Sequence, residues 1–75
     1  MNRYDRLARK VIDAAYKYYY GVDEESDMCD ADWDASLREL IAHKDKITIP
    51  KFAAVIEDTP SMHHIKKEKF KALLK

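Results

Sequence analysis

A single glycine, Gly21, and two prolines, Pro50 and Pro60, among 75 residues constrain this chain more than any other feature. Tight β-hairpin turns draw on residues that accept positive φ, so one glycine leaves too few turn positions for a set of hairpins. Ala, Leu, Lys, Glu and Arg are abundant instead, and these lose little on entering a helix. The expected class is all-α: one small helical domain over residues 1–75, with three to four helices. No apolar run approaches the roughly 18 residues that cross a bilayer, so no membrane contact and a cytoplasmic location are expected. Cys29 is the only cysteine, which excludes an internal disulfide and a thiolate zinc site built from this chain alone.

Helical periodicity divides the chain. Tyr4, Leu7, Ala8, Val11, Ile12, Ala15 and Tyr18 or Tyr19 follow the i, i+3, i+4, i+7 spacing of one buried stripe. The spacing predicts a first helix from about Arg3 to Tyr20, with Asn2 as N-cap and Gly21 ending it in the left-handed conformation. Asp30 is the expected N-cap of a second helix, in which Trp33, Leu37, Leu40 and Ile41 form the apolar face to about His43. A short connector follows, extended at Ile49 because Pro50 comes next. Pro50 then suits the first turn of a third helix carrying Phe52, Val55 and Ile56 inward. Thr59 and Pro60 repeat that start signal for a last helix with Met62, Ile65, Phe70, Leu73 and Leu74 on one side and Lys66, Lys67, Lys69 and Lys71 on the other. The first two helices are expected to pack as an antiparallel hairpin.

The formal net charge of zero conceals segregation. Residues 1–20 carry +3, residues 21–45 carry −7 and residues 46–75 carry +4. The simplest account is that basic ends neutralise an acidic middle within one domain. Most chemistry-bearing patterns fail on their spacing. Asp30, Asp32 and Asp34 match the opening of a calcium loop, but Ala35 and Ile41 occupy the places of its turn glycine and bidentate glutamate. His43, His63, His64 and Cys29 have no metal-ligand spacing. Ser36 and Ser61 lack a nucleophile-base pattern, and one glycine cannot build a phosphate loop. No catalytic or metal residues are therefore expected.

What remains is an aromatic and acidic group at the end of the first helix and the start of the second. Tyr16, Tyr18, Tyr19 and Tyr20 precede an acidic loop, and Asp30, Asp32, Trp33 and Asp34 follow it. In an antiparallel hairpin the two sets fall at the same end of the molecule. A ring beside carboxylates suits a flat cation, since the ring stacks while the carboxylates supply charge and accept hydrogen bonds. Trp33 and some of the tyrosines also serve as core, but four tyrosines in five positions cannot all face one core on a helix.

The stretch from Tyr16 to Leu40 resembles the N-terminal helical subdomain of bacterial NAD-dependent DNA ligases. In that family a tyrosine-rich helix end, a loop and a D-A-E-Y-D-x-L-x-R-E-L helix precede an I-T-P-D-S-P-T segment. Tyr20, Asp30-Ala31-Asp32-Trp33-Asp34 and Arg38-Glu39-Leu40 are the counterparts here, with Ile47-Thr48 and Asp58-Thr59-Pro60-Ser61 matching the last segment across an insertion. The resemblance implies recognition of the nicotinamide mononucleotide half of NAD, with Trp33 stacking on nicotinamide and Tyr20, Asp30 and Asp34 contacting amide and ribose. Trp33 replaces the usual tyrosine, and Gly21 stands where the family tends to carry His or Tyr. The family's adenylated lysine lies in a K-x-D-G motif absent from these residues, so the chain is not expected to be an enzyme on its own. A separate nucleotidyltransferase or ligase chain is the implied partner in DNA repair or replication.

Two other functions compete. A small interaction or regulatory protein would use the acidic middle segment to dock on a basic protein. A helix-turn-helix DNA binder would use the last two helices, with Glu57 to Thr59 as the turn and His63, His64, Lys66, Lys67, Lys69 and Lys71 toward phosphates. No Arg, Asn or Gln lies in that last helix to read bases, so contact with nucleic acid would be weak and sequence-neutral.

Overall fold

The computed structural model describes residues 1–21, 29–58, 62 and 65–74. They form four α-helices, α1 (Arg3–Tyr20), α2 (Asp30–Ala42), α3 (Pro50–Asp58) and α4 (Lys67–Leu73), with a 3₁₀ turn at Lys44–Lys46 and no strand among the described residues. Among the described residues no helix is long and apolar enough to cross a membrane.

The first helix begins and ends where its signals place it. The Asn2 side chain accepts from the Asp5 backbone N–H at 2.9 Å, and the Asp5 carboxylate accepts from the Asn2 N–H at 3.3 Å. This reciprocal capping box satisfies two backbone donors that helix geometry leaves without a partner. At the other end Gly21 adopts φ +57° and its N–H reaches the Lys17 carbonyl. A Cβ at Gly21 would meet nothing within 4 Å, so only the left-handed backbone penalises a side chain there. Gly21→Ala is expected to lower stability by about 1 kcal/mol, read from a denaturant midpoint, with the cost arising from the backbone alone.

Ala8, Val11, Ile12 and Ala15 of α1 are buried as the periodicity predicts. The stripe does not continue through Tyr18 or Tyr19, which are exposed; Tyr16 packs against the core instead. The reason lies in α4, whose Phe70 stands 5.6 Å from the Tyr16 ring and draws the buried side of α1 round to that residue.

The expected antiparallel pairing of α1 and α2 is present. Arg3 at the start of α1 meets Glu39 near the end of α2 at 2.9 Å, and the rings of Tyr4 and His43 lie 5.2 Å apart. Leu37 and Leu40 complete the contact from α2. The N-cap of α2 is Cys29 rather than Asp30: Cys29 is extended (φ −78°, ψ 167°) and its carbonyl accepts from the Trp33 N–H at 2.9 Å. Asp30 is thus the first helical residue, where its charge still complements the helix dipole without making the side-chain cap.

Pro50 opens α3, as its locked φ and missing N–H favour, and Phe52, Val55 and Ile56 are buried. The last helix starts later than the Thr59-Pro60 signal predicts, with Lys66 as N-cap. Met62 is buried but has φ +62°, a left-handed conformation that no helix can continue through, so it packs into the core from outside α4. Residues 59–61, 63 and 64, including both expected start residues and His63 and His64, lie outside the described residues. Of the expected helix-turn-helix turn, Glu57 and Asp58 are still within α3, and Thr59 lies outside the described residues.

Asp5 holds the connector between α2 and α3. Its carboxylate is fully buried and accepts from the backbone N–H groups of Thr48 (2.8 Å) and Ile49 (3.3 Å) and from the Thr48 hydroxyl. The Asn2 amide donates to the Lys46 carbonyl at 2.8 Å, so both residues of the capping box also bind this segment.

Candidate functional site

Asp30, Trp33 and Asp34 lie at i, i+3 and i+4 on α2, the spacing that brings side chains to one side of a helix. Trp33 is half-buried and packs against the core, and its indole N–H donates to the Val11 carbonyl of α1 at 3.0 Å. That bond matters because a buried indole N–H without an acceptor is costly, and a carbonyl has a second lone pair to offer. It ties the indole to α1, and part of the Trp33 side chain remains exposed.

Both flanking carboxylates are exposed. Asp34 pairs with Arg38 one turn on at 3.1 Å, an exposed pair that contributes little to stability. Asp30 occupies the first turn of α2, where the unpaired N–H groups of the helix start favour its negative charge. Asp32 adds a third exposed acid in that turn.

Tyr20 stands elsewhere. Its hydroxyl donates to the Ile65 carbonyl, and its ring lies edge-on to Phe70 at 5.8 Å and 6.0 Å from Tyr16. It therefore belongs to the seam between α1 and α4, whereas Trp33 belongs to the seam between α1 and α2. The helical rise also places Tyr20 about 13 Å along the axis from Val11, where Trp33 docks. The structure thus brings Asp30, Trp33 and Asp34 together and sets Tyr20 apart from them.

The antiparallel hairpin does not stack the tyrosine-rich and acidic sets at one end as expected, because the end of α2 pairs with the start of α1 and Trp33, in the first turns of α2, reaches only to Val11 at mid-length of α1. Tyr18 is the most exposed ring, in edge-to-face contact with Tyr19 at 5.1 Å. The acidic residues 22–28 lie outside the described residues. Among those described, no group of three His, Cys, Asp or Glu could hold a metal ion. Comparison with known proteins returned no matching family model, no matching curated protein and no matching solved structure.

Proposed function

We propose that the chain is a non-catalytic module that recognises the nicotinamide mononucleotide portion of NAD, in the manner of the N-terminal subdomain of NAD-dependent DNA ligases, and works with a separate catalytic chain. The observation that carries this reading is the Trp33 indole held by the Val11 carbonyl with Asp30 and Asp34 beside it. A ring fixed before the ligand arrives loses little freedom on stacking, and a pyridinium is the kind of flat cation that an indole and two carboxylates attract. Recognition in this reading falls to Asp30, Trp33 and Asp34. Tyr20, tied to Ile65 and Phe70, serves the packing of α4.

Trp33 is the only tryptophan, so its fluorescence reports the site directly. Titration with nicotinamide mononucleotide or NAD is expected to give a saturable change, with matching heat by calorimetry. Trp33→Ala should abolish the heat, and Asp34→Asn should weaken binding about 10-fold, the loss of one charge-assisted contact. Tyr20→Phe should leave affinity within about twofold, because the hydroxyl removed is already engaged within the fold. A flat response at millimolar ligand would refute the reading. The exposed acids of the first turn of α2 then support docking on a basic protein, testable by pull-down with Asp30, Asp32 and Asp34 neutralised.

A further inference from the structure

The acidic and basic groups are sorted onto different helices, and the basic side is the less explained. The residues of α1 and α4, with Lys66 at the start of α4, include nine basic groups and three acidic ones. Of those three acids, Asp5 is buried against Thr48, Asp13 pairs with Lys17, and only Glu68 is an exposed acid on α4. On the opposite flank of α1, α2 carries four acidic groups and one arginine.

The two basic helices lie side by side and antiparallel. Contacts run from Tyr20 to Ile65 just ahead of α4, through Tyr16 and Phe70, to the Arg9 guanidinium donating to the Leu74 carbonyl at 3.0 Å. Arg6, Lys10, Lys66, Lys67, Lys69 and Lys71 are exposed and have no carboxylate within ion-pair distance among the described residues.

We infer that this face of α1 and α4 binds the phosphodiester backbone of a nucleic acid without reading its sequence. Two features favour a phosphate chain over an acidic protein. Arg6 and Lys10 on α1, and Lys67 and Lys71 on α4, each repeat at i, i+4, which sets cations about 6 Å apart along both helices. That interval is of the order of the separation between successive phosphates of one strand. Secondly, α4 exposes no large hydrophobic side chain, and the exposed rings of α1, Tyr18, Tyr19 and Tyr20, stand at the helix end remote from Arg6 and Lys10, whereas protein interfaces depend on such anchors at their centre. Phosphate binding needs none, since released counterions supply the affinity. The lysines of α4 lie beyond the stretch on which the nucleotide-recognition reading rests, so the two stand or fall separately.

The test is fluorescence anisotropy of labelled 20-nucleotide single strands and duplexes of mixed sequence titrated with the intact chain. Binding is expected at 50 mM salt and should weaken about 100-fold by 200 mM, the response to roughly four or five neutralised phosphates. Lys67→Glu with Lys71→Glu should weaken it more than about 10-fold, while Lys67→Gln with Lys71→Gln should fall between, and circular dichroism should show both variants folded. Asp30→Asn with Asp34→Asn should not weaken it. Absence of binding at 50 mM salt would overturn the inference. So would insensitivity to salt or to both pairs of substitutions, or equal binding of a polyglutamate of matched charge, which would mark the face as a site for acidic protein.

Discussion

Phe70→Ala is expected to abolish cooperative unfolding at 25 °C. Phe70 is fully buried and is the ring on which both Tyr16 and Tyr20 converge, at 5.6 and 5.8 Å. Truncating a buried phenylalanine costs about 3–5 kcal/mol, and a domain of this size has about the same amount in total. The consequence is sharpest for α4, whose seven residues are too few to persist as an isolated helix in water. A thermal melt followed by circular dichroism should therefore show a broad, non-cooperative transition, with amide exchange first accelerated in residues 66–74. Phe70→Leu should retain a cooperative melt, because it preserves most of the buried volume. Tyr18→Ala, at a side chain 70% exposed, should change stability by no more than about 0.5 kcal/mol. A Phe70→Ala protein melting like its parent would show that α4 is held by something other than this ring.

The second large effect belongs to Asp5. The hydrogen bond from the Thr48 hydroxyl, with those from the backbone of Thr48, Asn2 and Ile49, holds its carboxyl below the usual carboxylate range, outweighing burial, which acts in the opposite direction. The folded chain therefore ionises Asp5 more readily than the unfolded chain does. Its stabilising contribution is complete above the ordinary carboxylate range and is lost as pH falls through the depressed folded value. Asp5→Ala should lower the thermal midpoint at pH 7 by roughly 10 °C or more, since it removes the acceptor that the Thr48 and Ile49 N–H groups and the Thr48 hydroxyl share. Asp5→Asn keeps the shape but turns an amide toward those donors, and should also be destabilised at pH 7. The difference between Asp5→Asn and its parent should narrow as pH is lowered toward 2. A difference that stays constant with pH would mean that the carboxylate charge is not what holds the 47–49 segment.

Asp5 marks the limit of what local sequence signals encode. The spacing of Asn2 and Asp5 is that of a capping box, so the start of α1 was legible, but the second use of Asp5 was not. Thr48 and Ile49 lie 43 and 44 positions away, and no local pattern states that their N–H groups turn toward that carboxylate. The same limit applies to the tyrosine cluster. Periodicity placed Tyr16, Tyr18, Tyr19 and Tyr20 on one helix, yet which of them was buried depended on where Phe70 arrived. The Asp30, Trp33 and Asp34 group was legible because i, i+3, i+4 spacing is a property of α2 alone. Its separation from Tyr20 was not, because that depends on the level at which α2 crosses α1.

Sequence alone determined what short-range physics controls: four helical segments, the capped start and glycine end of α1, the proline start of α3, and the buried faces centred on Val11, Leu40, Phe52 and Phe70. Tertiary structure decided what depends on residues distant in the chain. It put Trp33 against Val11, tied Tyr20 to Ile65, buried Met62 in a left-handed backbone, and set helices α1 and α4 side by side. The division follows from the range of the forces. Caps and periodicity act within a few residues, whereas the partner of a buried ring or carboxylate is chosen only when the whole core closes.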